Sequence, residues 1–150
     1  FILRFNSLLF EILFQLLHNF SVRVVLSDQS QRNKDRVRLD NILGYIKDNY
    51  NRPISIDEIA NVAYLQSGYF CRFFKKCMGI TFLEYQNELR LSYIYQDILS
   101  TDDSIHDILE RHGFSNYKLF RRMFHEHFQA TPTEIRKQYR LHFSRKELSQ

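Results

Sequence analysis

The sequence predicts an all-α fold: two helix-turn-helix subdomains joined by a long connecting helix and preceded by an extra N-terminal helix. Three observations carry this. The second half of the chain repeats itself. Ser55-Ile56-Asp57-Glu58-Ile59 returns as Ser104-Ile105-His106-Asp107-Ile108, Phe70-Cys71-Arg72-Phe73-Phe74 as Phe120-Arg121-Arg122-Met123-Phe124, and Thr81-Phe82-Leu83-Glu84 as Thr131-Pro132-Thr133-Glu134, at an offset of 49 and then 50 residues. A unit of that length used twice is one supersecondary element in duplicate. The 4 Gly and 2 Pro are too few for the turns of an all-β chain. With 44% apolar and 25% charged residues the chain is globular rather than disordered, and large enough for one good core or two small ones.

The elements follow in order. Residues 1–20 read as a helix that is apolar on most sides and therefore must be buried somewhere. Arg4, Asn6, Glu11, Gln15, His18 and Asn19 interrupt it, so it lacks the run of about 20 apolar residues that spans a membrane. The charged leader and small-residue cleavage site of a signal peptide are also missing. The chain opens on Phe1 rather than Met, which reads as a fragment or a processed form. Residues 28–38 are polar and without periodicity, and read as a linker at a domain boundary. Leu39, Ile42, Leu43, Ile46 and Tyr50 then form a helical stripe, stopped by Asn51-Arg52-Pro53.

The first helix-turn-helix spans about 55–79. Ser55 is its N-cap, with Glu58 placed to complete a capping box. Ile59, Ala60 and Ala63 form the buried face, Leu65-Gln66-Ser67-Gly68 the turn, and Gly79 the residue after the second helix. Thr81 and Glu84 open the connecting helix, about 82–99, which Ser100-Thr101-Asp102-Asp103 breaks. The second helix-turn-helix, about 104–128, starts at Ser104 with Asp107, turns at Gly113-Phe114-Ser115 and restarts at Asn116. Thr131-Pro132-Thr133-Glu134 places cap, N1 proline and N3 glutamate in register for a final helix. Residues 143–150 read as a frayed tail.

Net charge is +4, and its distribution matters more than its size. Residues 67–79 carry Arg72, Lys75 and Lys76 without an acid, and residues 117–127 carry Lys118, Arg121 and Arg122 against Glu126. Positive charge thus gathers on the second helix of each repeat, as on a phosphate-facing surface; the bland reading is a solvated helix face. Cys71 and Cys77 lie six apart, a spacing that suits neither a disulfide framework nor a zinc site.

A helix that reads the major groove needs an apolar face for docking, small or hydrogen-bonding residues toward the bases, and cations at its margins. In the first repeat Tyr69, Phe70, Phe73 and Phe74 serve as anchors, leaving Ser67, Gly68, Cys71, Arg72, Lys75 and Lys76 outside. In the second, Leu119, Phe120, Met123 and Phe124 lie inside and Tyr117, Lys118, Arg121, Arg122 and His125 outside. Arg grips guanine O6 and N7 bidentately, so Arg72, Arg121 and Arg122 lead the base-reading candidates. Ser67, Lys75, Lys76, His125 and Arg136 are assigned to phosphate.

These motifs resemble the DNA-binding domain of the AraC/XylS family of transcription regulators. The match runs over about residues 39–140: Ile59-Ala60, Tyr69 through Lys76, Gly79, Arg90, Ser104-Ile105 with Ile108, Gly113-Phe114-Ser115, Phe120 through Phe124, and Thr131-Pro132 through Arg136. The resemblance implies a sequence-specific, cytoplasmic bacterial regulator, nucleoid-associated when bound and typically a promoter-binding activator that works with RNA polymerase and needs no cofactor. It implies recognition helices in successive major grooves about 34–36 Å apart. Base contact then falls to Gly68, Cys71 and Arg72 in the first unit and to Tyr117, Lys118, Arg121 and Arg122 in the second. It also implies that residues 1–27 end a regulatory region that forms homodimers, and that an effector small molecule binds a domain outside this sequence. Ile94 and Leu109 stand where the family has Ala, Asp97 where it has Leu, and Gln129 where it has Gly. The last leaves the cap of the second recognition helix less well specified.

An enzyme is the rival class. His125-Glu126-His127 puts its histidines on different helix sides, which is poor ligand geometry. His106, His112 and His142 are expected toward solvent or phosphate, and HExxH, Walker A, GxSxG and GxGxxG motifs are absent. A helical protein-interaction module is the other alternative, and it leaves the duplicated basic faces unexplained.

Overall fold

The computed structural model describes residues 29–147, with side chains placed over 32–142. Residues 1–27, expected to hold the apolar dimerisation helix, lie outside the described residues. Among the described residues there are seven helices and no strand: α1 (Gln29–Asn49), α2 (Ile56–Val62), α3 (Ser67–Met78), α4 (Phe82–Ser100), α5 (Ile105–Arg111), α6 (Tyr117–Phe128) and α7 (Pro132–Glu147). Contacts divide the chain between Arg36 and Val37, and both helix-turn-helix units lie after that division.

Two expectations need correction. The linker at 28–38 is helical from Gln29 onward. Its residues lack an apolar stripe, but they also lack Gly and Pro, and Gln, Arg and Lys are good helix formers. The helix set by Leu39–Tyr50 therefore extends backward with mostly exposed side chains. The tail is likewise helical to Glu147, because nothing after Pro132 breaks α7.

Two hydrophobic cores lie along α4. The first gathers Ile42 and Ile46 of α1, Ile59 and Ala60 of α2, Phe70, Phe73 and Phe74 of α3, and Phe82 at the start of α4. The second gathers Leu91, Ile94 and Ile98 from the rest of α4, Ile108 and Leu109 of α5, Phe120 and Phe124 of α6, and Ile135 of α7. Helix α4 therefore closes the first unit and opens the second. Ile94 and Leu109, large where the family has Ala, are both buried in the second core.

The caps repeat with the units. Thr81 and Glu84 form a full capping box, and Thr131 and Glu134 reproduce it with the same distances, 2.7 Å to the cap N–H and 3.3 Å back. Ser55 and Ser104 each accept from the third helical N–H, at 3.0 and 3.1 Å. Glu58 departs from the expected capping box. Its carboxylate is held chiefly by Arg52 (2.5 Å) and by the Tyr45 hydroxyl (2.5 Å), with the Ser55 N–H a minor contributor. These donors hold Glu58 down at about 2.

Each unit turns through a left-handed residue, Tyr64 (φ 55°) in the first and Gly113 (φ 66°) in the second. Tyr64 is 90% exposed and has room for its side chain. A Cβ at Gly113 would lie 1.9 Å from the carbonyl oxygen of Asn51, so glycine is required there. After α6, Gln129 adopts the left-handed cap (φ 51°) that Gly79 supplies after α3 (φ 77°), and each donates its N–H back four residues at 2.9 Å. The cap forms despite the missing glycine, at the cost of some backbone strain.

Buried polar side chains fasten the helix ends. Arg90, 8% exposed, donates through Nε to the carbonyl of Tyr50 (2.6 Å) and through Nη2 to that of Arg52 (2.8 Å); Gln86 adds a bond to Arg52 (3.1 Å). Burial lowers the Arg90 pKa. The free carbonyls beyond α1, at the negative end of its dipole, suit this cation. The arrangement recurs one repeat later, where Arg136 donates to Ile98 (3.0 Å) and Arg140 to Thr101 (3.3 Å).

Gly113→Ala should lower stability by about 1–3 kcal/mol from backbone strain, and by more from the Asn51 clash, read as a reduced urea midpoint. Glu58 has a depressed folded pKa, so its contribution is present above its ordinary unfolded value and is lost as pH falls toward 2. Thermal stability of the protein should therefore fall more steeply between pH 5 and pH 2 than that of Glu58→Gln, the difference being small because the pair is solvent-screened.

Candidate nucleic-acid interface

The two recognition-helix candidates are built alike. Phe70, Phe73 and Phe74 stand at i, i+3 and i+4 and bury one side of α3, and Phe120 and Phe124 do the same for α6 with Leu119 and Met123 half-buried beside them. Ring packing holds each helix against its core. Phe74 meets Phe82 edge-on at 6.1 Å, and Phe120 meets Phe114 edge-on at 5.8 Å. Tyr69, expected as an anchor, is 48% exposed, because it lies at the margin of the stripe and stacks only on Phe73 (6.5 Å).

Gly68, Cys71, Arg72, Lys75 and Lys76 are all exposed on α3. Tyr117, Lys118, Arg121, Arg122 and His125 are all exposed on α6. Ser67 and Gly68 belong to the first turn of α3 rather than to the connection before it, with Gln66 as N-cap. The Ser67 hydroxyl donates to the Asp57 carboxylate, which occupies its one proton. Asn116 caps α6 by accepting from the Leu119 N–H at 2.9 Å.

Charge on the two faces differs in detail. Arg122 lies 3.9 Å from Glu126 one turn on, a long and exposed pair worth little. The matching turn of α3 places Lys76 after Arg72, so that helix has no acid to answer its cations. Lys75 and His125 occupy equivalent places near Glu84 and Glu134. The two carboxyls are held below the usual range first by the threonine N–H and hydroxyl, and to a smaller degree by these neighbours.

Arg136, assigned to phosphate from the sequence, makes a bond within the fold. It follows Ile135 on the buried side of α7, and its guanidinium turns inward to the carbonyl of Ile98, with Nη2 buried. His112, expected toward solvent, is 6% exposed and sits between Tyr50 and Asp97. Its two hydrogen-bond partners lie 15 and 62 residues away and leave no periodic signature, and sequence reasoning missed it for that reason. His127 reaches back to Glu88 at 3.0 Å. Among the described residues no cluster of His, Cys, Asp or Glu could hold a metal, and no helix is long and apolar enough to cross a membrane. Cys71 and Cys77 are exposed thiols.

Two α-helical units, each with a capped short helix, a left-handed turn and an amphipathic cationic helix, define a tandem helix-turn-helix DNA-binding domain. A family model described as a helix-turn-helix domain matches residues 59–138. A transcriptional regulator with an AraC-type DNA-binding domain from Chromobacterium violaceum is 31% identical, with a TM-score of 0.62 over 69% of this chain and 93% of that one. The multiple antibiotic resistance protein MarA of Escherichia coli is 27% identical over 107 residues, 71% of this chain and 84% of that protein. The DNA-binding domain of AdpA, solved with a target DNA, shares the fold with a TM-score of 0.64 at 20% identity, over 70% of this chain and 95% of that one. The chain belongs to the AraC/XylS family and carries its DNA-binding domain. It is a DNA-binding transcription regulator, not an enzyme.

Arg136→Ala should cost about 1–3 kcal/mol of stability, as the loss of a half-buried charged hydrogen bond does, whereas Lys75→Ala should stay within about 0.5 kcal/mol. Urea denaturation of both variants distinguishes a structural cation from a surface one.

Proposed function

We propose that α3 and α6 enter successive major grooves on one face of a promoter duplex. The observation that carries this is the duplicated arrangement: two helices that bury paired phenylalanines at matching positions and turn cations outward. In this reading Gly68, Cys71 and Arg72 face bases from α3, and Tyr117, Lys118, Arg121 and Arg122 face bases from α6. Lys75, Lys76 and His125 meet phosphate, and Ser67 joins them by giving up its bond to Asp57. Arg72, Arg121 and Arg122 supply forked donors suited to guanine. The family resemblance supports the rest: activation with RNA polymerase, a cytoplasmic site of action, dimerisation through residues 1–27, and an effector bound by a region outside this sequence.

Selection of bound duplexes from a random pool should return two half-sites one helical turn apart. Arg122→Ala should weaken specific binding by about 1–3 kcal/mol and relax the preference at one base position. A loss of equal size on random DNA would instead assign Arg122 to phosphate.

A further inference from the structure

We propose that Tyr50, His112 and Asp97 form a positioning lock that holds α3 and α6 in one relative orientation and so sets the single half-site separation the protein accepts. This rests on the groove-reading function above and deepens it.

Among the described residues, the substantial helix contacts either stay within a unit or run through α4. A helix of 19 residues, about 28 Å long, is a weak sole support, because a small bend or twist along it is amplified at the helices it carries. A second connection crosses between the units beside α4. The Tyr50 hydroxyl, just beyond α1, lies 2.9 Å from Nδ1 of His112, at the end of α5. The other ring nitrogen, Nε2, lies 2.9 Å from Asp97 of α4. Asp97 also accepts from Arg111 at 2.7 Å, and Arg111 bridges on to Asp103. Burial alone would raise the Asp97 carboxyl, but the bonds from His112 and Arg111 outweigh it and hold it low.

Stacking reinforces the crossing. Tyr50 stacks on Tyr93 of α4 at 4.5 Å and on His112 at 5.8 Å, and Tyr93 lies 6.0 Å from His112, nearly parallel. The next residue of each partner also meets across the junction, where Gly113 abuts the Asn51 carbonyl. Tyr50 is thus held twice. Its carbonyl is gripped by Arg90 of α4, while its side chain is gripped by the second unit.

One tautomer of the ring satisfies both partners: His112 donates from Nε2 to Asp97 and accepts the Tyr50 proton at Nδ1.

Duplex geometry turns orientation into spacing. Each added base pair moves a half-site about 3.4 Å along the axis and about 34° around it. A rigid pair of reading helices cannot follow such a shift without losing one half-site.

Affinity would be measured on duplexes carrying the two selected half-sites with the spacer changed by one or two base pairs. The unaltered protein should lose about tenfold or more for each change, comparable to a mismatched base pair. Tyr50→Phe and His112→Phe keep the ring stack and remove the hydrogen bonds. Both should cut the penalty to about threefold, with base preference inside each half-site unchanged. An undiminished penalty in both folded variants overturns the lock. Failure of the unaltered protein to prefer paired half-sites would sink the groove-reading function itself, a separate result from the first.

Discussion

A single helix, α4, has to satisfy two hydrophobic cores along its length. Phe82, at its start, belongs to the core of the first unit, and Leu91, Ile94 and Ile98 belong to that of the second. Between these stretches its polar face supplies Gln86 and Arg90, which hold the carbonyls beyond α1. The helix is therefore apolar toward two partners that lie in different directions, and its stripe drifts around it instead of running straight. The placement of both recognition-helix candidates follows, since α3 and α6 each pack on it.

The fold class was legible because its signals are local. Capping pairs such as Thr81 with Glu84, and stripes such as Phe70-Phe73-Phe74, depend on residues within one or two turns of each other. The exposed cations Arg72, Arg121 and Arg122 were legible for the same reason, because the periodicity that buries the phenylalanines leaves them outward. What escaped depends on distant partners. Arg136 reads as one more basic surface residue until the carbonyl of Ile98, 38 positions away, is seen to hold it. Glu58 reads as a capping residue until Arg52 and Tyr45 claim it. Asp97 stands out in the sequence only as a departure from the family's Leu, and the structure supplies its reason in His112 and Arg111. The helical run before Leu39 was missed differently: helix propensity carries it there without an apolar stripe to mark it.

The two units agree where packing demands it and diverge where it does not. Phe70 and Phe120, Phe74 and Phe124, and Thr81 and Thr131 are equivalent and identical. At the exposed places between them, Gly68 answers Lys118, Cys71 answers Arg121 and Lys75 answers His125. The first helix presents small side chains toward its N-terminus and cations toward its C-terminus, while the second presents bulk and forked donors earlier. Two surfaces with one skeleton thus present unlike side chains outward.

The sharing of α4 also governs what the duplication can become. Beads on a string can be excised, swapped or lost singly, because each closes its own core. Here the halves dovetail: removing either one strips a flank of the common helix and leaves the survivor with a bare apolar seam. Drift in that helix is answerable to both neighbours at once.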